Sequence, residues 1–165
     1  DLRGLNNAMF ENIIKATRTL RGAGFSTIKL KLHPGPGRWK KAYFQAIVDH
    51  WELDIEVLKT EPLSECIAWA DIVVGPIQSG SVYESLAGGK PYFAFLISPH
   101  GQDADYFKGY PLLEDAEMLP DALESWEWSA ASELLDSMYD TASGMENPRR
   151  FWTALGGGLE PSEIR

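Results

Sequence analysis

Residues 71–97 constrain the fold more than any other stretch of the chain. They open on Asp71 and the continuous β-branched run Ile72-Val73-Val74, closed by Gly75. An apolar run without alternation predicts a strand covered on both faces, as in the centre of a parallel sheet. Turn formers follow in Pro76-Ile77-Gln78-Ser79-Gly80-Ser81, then a helical segment from about Gly80 to Ala87 that Gly88-Gly89 stops. Pro91 leads into a second apolar run, Tyr92-Phe93-Ala94-Phe95-Leu96-Ile97. Two apolar runs joined through a helix predict parallel strands in a right-handed βαβ unit.

The segments on the N-terminal side repeat this alternation. Met9, Ile13, Ile14, Ala16 and Leu20 recur at helical spacing from Asn6 onward, and Gly22-Ala23-Gly24 supplies a stop. Thr27 to Leu32 alternates apolar residues with Lys29 and Lys31, the period of a strand. His33-Pro34-Gly35-Pro36-Gly37 forces a loop. Trp39 to Leu53 returns to helical spacing, Asp54 to Leu58 is β-prone, and Pro62-Leu63-Ser64-Glu65 opens a short helix ending near Asp71. The order predicts an α/β fold, a Rossmann-like doubly wound parallel sheet in three α/β/α layers. Residues 98–119 read as a long loop with a short strand near Tyr110. Residues 121–139 and 148–155 read as extra C-terminal helices, and 156–165 as a flexible tail, so residues 1–155 are expected to form one domain. A doubly wound domain ordinarily opens on a strand, and this chain opens on a helix; a first strand from a longer native protein is therefore expected.

Composition narrows the function classes. Across 165 residues the formal net charge is -9, too acidic for neutralising a nucleic-acid backbone, so nucleic acid is not an expected partner. Lys29, Lys31, Arg38, Lys40 and Lys41 form a local basic exception suited to one small anion. No apolar run approaches the roughly 20 residues of a transmembrane helix, and no signal-peptide pattern opens the chain, so a cytoplasmic setting is expected. Cys66 has no second cysteine to pair with; its segment reads as a helix face with a buried thiol.

Two constellations carry chemistry. The turn Gln78-Ser79-Gly80-Ser81 joins a strand end to a helix start, where unsatisfied N–H groups attract anions. Gly80 admits a phosphate to the backbone, and Ser79 and Ser81 offer hydroxyls. Glu84, three residues past Ser81, suits either a capping box or contact with a sugar or ribose hydroxyl. The second is His33-Pro34 at the end of the Lys29–Leu32 strand, the end at which open α/β sheets collect ligands. A loop histidine exposed to water is the plain alternative for His33. His50 reads as a packing or surface residue. His100, Asp103 and Asp105 lack a fourth ligand and a constrained geometry, so no metal is expected.

Taken together, Lys31-Leu32-His33-Pro34-Gly35, the Val73-Val74-Gly75 strand, Ser79-Gly80-Ser81-Val82-Tyr83-Glu84-Ser85-Leu86 and Gly89-Lys90-Pro91 resemble the C-terminal, donor-nucleotide-binding domain of GT-B glycosyltransferases. The likeness is closest to bacterial surface and capsular polysaccharide enzymes with an HP motif and a Ser-rich motif, and it covers about residues 6–97. The resemblance implies that His33 and Pro34 contact a donor phosphate, with His33 the catalytic residue of the set. It implies that Gln78, Ser79, Gly80 and Ser81 hold phosphate oxygens and that Glu84 faces a sugar or ribose hydroxyl. The donor is then a nucleotide-sugar substrate, with CMP-linked acidic sugars ahead of UDP-sugars, and no cofactor or metal takes part. The glycan acceptor and the general base are expected on an N-terminal domain of the same native chain, so this half alone binds donor without turnover. The full-length enzyme of this kind works in the cytoplasm or peripherally at the inner membrane. A non-hydrolysing sugar-nucleotide epimerase and a non-catalytic Rossmann-like interaction module are the alternatives to that reading.

Overall fold

The computed structural model describes residues 2–33, 35, 41–77, 79–96, 107 and 109–139. The chain divides into two compact units, Asp1–Trp126 and Glu127–Arg165. The first is mixed α/β with parallel sheets. Its opening helix, α1 (Leu2–Gly22), is longer than the periodicity from Asn6 predicts. It ends where the sequence supplies glycine: Gly24 takes a φ of 94°, and the N–H groups of Gly24 and Phe25 return to the carbonyls of Arg21 and Leu20 at 3.0 Å each. This Schellman closure satisfies carbonyls that the helix end would otherwise orphan.

Among the described residues, five short strands follow in two sheets. β1 (Lys29–Lys31) pairs in parallel with β2 (Glu56–Leu58), Leu30 opposite Val57. β3 (Val73–Pro76), β4 (Tyr92–Phe95) and β5 (Leu112–Leu113) form a second parallel sheet in that order. Helices α2 (Lys41–His50), α3 (Leu63–Trp69) and α4 (Ser81–Ala87) connect the successive strands β1 to β4. The alternation read from the sequence is therefore present, but one continuous sheet is not: among the described residues the strands form a pair and a triplet. The strand predicted to be central, β3, sits at an edge of its triplet and is half-buried, whereas β4 is buried along its whole length. A β-branched run records a preference for cover, and here Tyr92-Phe93-Ala94-Phe95 received it.

Helix α1 serves both sheets. Phe10, Ile13 and Ile14 join Leu30, Leu32, Phe44, Val48 and Val57 in one apolar cluster. Ala16 and Leu20, about one turn further on, join Phe93, Phe95, Leu113, Ala116 and Leu119 in another.

The predicted helix over 121–139 is interrupted. Asp115 accepts a hydrogen bond from Glu117 N at 2.9 Å and caps a single 3-10 turn at Ala116–Met118. The helix α5 (Leu119–Glu124) follows, with Pro120 in its first turn, where no N–H is needed. It stops at Ser125, whose N–H and hydroxyl both bond to Asp121 O, and Trp126 leaves the helix to pack on Phe93 at 5.1 Å between ring centroids. In the second unit, α6 spans Trp128–Tyr139. The predicted helix at 148–155 and the tail at 156–165 lie outside the described residues. No helix among the described residues is long and apolar enough to cross a membrane.

Candidate functional site

The turn after β3 is organised by hydroxyl groups. Ser79 N donates to Pro76 O and Val82 N to Ser79 O, both at 3.1 Å, while Ser81 N approaches Ser79 Oγ at 3.3 Å. These three N–H groups are thus used inside the turn. Among the described residues Gly80 N–H remains for a ligand, and nothing within 4 Å crowds the position a Gly80 side chain would take. The converging set of free helix N–H groups expected from the sequence is therefore smaller, because the turn into the seven-residue α4 bonds the Ser79, Ser81 and Val82 N–H groups itself.

Tyr92, absent from the sequence reading of the site, completes the turn. Its hydroxyl donates to Pro76 O at 3.0 Å, and it lies 3.3 Å from Ser81 Oγ, which lies 2.6 Å from Ser79 Oγ. A carbonyl can only accept, so the single phenolic hydrogen is committed to Pro76. Ser81 then donates to Tyr92, and Ser79 to Ser81. The hydrogens run inward, leaving Ser79 Oγ a lone pair at the outer end. Burial pushes the Tyr92 hydroxyl up to about 12, against the opposing pull of its contacts with Ser81 and Ser79. The phenol stays neutral and a donor at physiological pH.

Gly75 makes room for this phenol. A Cβ there would stand 2.5 Å from the Tyr92 hydroxyl oxygen. A glycine within a β-branched strand is the sequence signal for such a close approach; the partner that needs it is not visible in the sequence.

The remaining candidates divide. His33 follows the C-terminal end of β1 and is exposed. Its Nδ1 accepts from Gly35 N at 3.0 Å, so in the neutral ring the proton sits on Nε2 and that nitrogen is the outward donor. A Cβ at Gly35 would lie 2.9 Å from Nδ1, which explains glycine two residues after the histidine. Glu84 is exposed on α4, and no side chain caps the start of that helix, so the capping-box alternative does not hold. Pro34 and Gln78 lie outside the described residues. Direct contacts join Ser79, Ser81 and Tyr92; among the described residues His33 is bonded within its own loop, to Gly35.

Two members of the local basic cluster, Lys31 and Lys29, are engaged within the fold. Lys31 Nζ donates to the carbonyls of Leu32 and Lys59 at 2.8 and 3.0 Å. Lys29 pairs with Glu56 at 3.3 Å and lies 4.3 Å above the Trp69 ring. Arg38 and Lys40, like His100, Asp103 and Asp105, fall outside the described residues. Cys66 is half-buried rather than buried. His50 packs edge-on against Trp51 at 5.5 Å, in keeping with a packing or surface role. Among the described residues no group of three His, Cys, Asp or Glu side chains could hold a metal ion.

No protein-family model, no curated protein and no solved structure matches the chain.

Proposed function

We propose that the first unit is the donor-nucleotide-binding domain of a GT-B-type glycosyltransferase, its five strands belonging to a Rossmann-like doubly wound sheet with helices on both faces. The observation that carries the reading is the turn at the end of β3: an open Gly80 flanked by two serine hydroxyls and held from below by Tyr92. A phosphate oxygen there would take Gly80 N–H and a rotated Ser79 hydroxyl. His33, with its Nε2–H outward at the end of another parallel strand, supplies a further donor, and exposed Glu84 supplies an acceptor for a sugar or ribose hydroxyl. Such donors stabilise the negative charge that develops on a departing nucleotide, which is electrostatic catalysis. The acceptor glycan and general base belong to a second domain in this reading, so the unit binds donor and does not turn it over.

The test is a titration with CMP, CDP, UDP and GDP followed by calorimetry and amide chemical shifts. Cytidine nucleotides are expected to bind ahead of the others, with the largest shifts at Gly80 and Ser81 and weaker binding in Ser79→Ala and His33→Ala. Absence of binding by all four to the folded protein, with or without an added first strand, refutes the reading.

A further inference from the structure

The outer surface of α1 and α2 carries apolar side chains that the fold leaves exposed. Of the large hydrophobic residues exposed among the described ones, Trp69, Met118 and Trp128 lie on three separate elements. Tyr43, 56% exposed, and Trp51, 46% exposed, share one helical course instead. Trp51 N donates to Ile47 O at 3.0 Å, which carries the path of α2 one residue past His50. Tyr43, Ala46, Ile47, His50 and Trp51 then recur at the i, i+3, i+4, i+7, i+8 spacing of a packing face. The core takes a different stripe of α2, Phe44 and Val48. Ala46 and His50 are exposed, and Ile47 is half-buried.

The same surface continues onto α1, and its two ends differ. Phe10 meets the Tyr43 ring edge-on at 5.8 Å between centroids, and the Arg18 guanidinium lies 5.8 Å from the centre of the Trp51 ring. Both contacts advance together along the chain, so the two helices run in the same direction. The exposed charges beside them are Glu11 at the first end and Arg18 at the second, about two turns apart on one side of α1. Neither forms an ion pair with a described residue. One end thus presents an acid and a tyrosine, and the other, about 12 Å away, a base and a tryptophan. Midway between the two contacts lie Ile14 and Ile47, with the small side chain of Ala46 beside them.

We infer that this face is the interface of a two-fold dimer of the chain, with α1 and α2 of one copy lying antiparallel on those of the other. A two-fold axis at the level of Ile14 and Ile47 exchanges the ends. Glu11 then faces Arg18 of the second copy, and Tyr43 faces Trp51 of the second copy, each pair formed twice. An isologous interface requires such self-complementarity, and this face has it in charge and in aromatic surface. A parallel arrangement would set Glu11 against Glu11 and Arg18 against Arg18, and like charges oppose it. Ala46 lets the helices approach to the roughly 8–10 Å of packed pairs. Tyrosine, tryptophan and arginine are the side chains that contribute most at protein interfaces. With a helix of ten residues at its centre, the contact is small, so the dimer forms and dissociates with concentration. The inference is independent of nucleotide binding, and its test uses none.

Sedimentation equilibrium of the 165-residue chain is expected to show a monomer–dimer equilibrium in the micromolar range. Tyr43→Ala and Trp51→Ala should each weaken the dimer by roughly ten-fold or more, with the circular dichroism spectrum reporting an intact fold. Glu11→Arg and Arg18→Glu should each weaken it to a similar degree, roughly ten-fold, because each sets like charges face to face. A mixture of these two variants separates the two-fold arrangement from any other. The arginine introduced at position 11 of one chain meets the glutamate introduced at position 18 of the other, while the native Arg18 and Glu11 meet at the second site. The mixture is therefore expected to form a heterodimer with an affinity near that of the unaltered chain. A folded monomer at every concentration overturns the inference and leaves the face to a different protein or to another part of the chain. So does a dimer indifferent to the four substitutions, which would place the contact on another surface, or a loss on charge reversal that the mixture does not restore.

Discussion

Gly75→Ala is expected to destabilise the protein through Tyr92 and through little else. The added Cβ would stand 2.5 Å from the phenolic oxygen, 3.3 Å from Cζ and 3.9 Å from Cε2, so the oxygen is the atom that must move. Moving it breaks the bond to Pro76 O and the longer contact with Ser81, and each such bond contributes about 0.5–1.5 kcal/mol. Strain from an extra methyl in a packed site adds about 1–3 kcal/mol. Loss of glycine's freedom in the unfolded chain returns about 0.4–1 kcal/mol, since Gly75 has no positive φ to forbid alanine. The net expectation is a loss of about 2–3 kcal/mol, read by urea denaturation with unchanged slope. Tyr92→Phe removes the clashing atom, so in that background Gly75→Ala should cost less than about 1 kcal/mol. Equal costs in the two backgrounds, or no cost in the first, would show that the phenol is not held against Gly75 and would remove Tyr92 from the turn.

Further outcomes follow at four named residues. Lys15 Nζ donates to Asp115 at 2.9 Å, and this bond holds the Asp115 carboxyl below its ordinary value and the Lys15 ammonium above its own. Its stabilisation is therefore complete from above the ordinary carboxylate value of 3.8 up to the ordinary lysine value of 10.5. It fades as the pH falls through the lowered Asp115 value or rises through the raised Lys15 value, so Asp115→Asn should flatten both limbs of a stability–pH profile. Asp115→Ala also removes the cap on Glu117 N and should cost about 1 kcal/mol more near neutral pH. Gly35→Ala should displace the His33 ring and, on the proposed donor-binding reading, weaken nucleotide binding by roughly 3- to 10-fold without changing thermal stability, measured by calorimetry beside a melting curve. Leu119→Ala, at a fully buried position, should cost about 2–5 kcal/mol. Trp69→Ala, at a side chain 49% exposed over Lys29, should cost about 1 kcal/mol or less by the same denaturation assay.

Much of the site's scaffold was legible because its signals are local. Glycine after an apolar periodic run stops a helix wherever it occurs, and Gly22-Ala23-Gly24 and Gly88-Gly89 do so here. Ser79, Gly80 and Ser81 form a turn because of their own backbone preferences and hydroxyls, and the Ser79–Ser81 bond spans two residues. His33 is oriented by Gly35, again two residues away. Lys29 and Lys31 of the basic cluster show the opposite case: charge can be counted along the chain, but Lys31 is claimed by a carbonyl at Lys59 and Lys29 by Glu56 and Trp69. The half-burial of Cys66 likewise depends on what packs beside its helix.

By itself the sequence determined the order of strands and helices, the parallel sense of the pairs and the positions of the turns, since period, β-branching and glycine placement act within a few residues. Tertiary structure decided which strand edges are paired, that β4 rather than β3 is covered on both sides, and that Trp126 breaks the C-terminal helix to reach Phe93. It also decided that Tyr92, sixteen residues beyond Pro76, braces the turn. A periodic pattern states that a side chain needs cover or a polar group needs a partner; only the packed chain settles which distant residue supplies it.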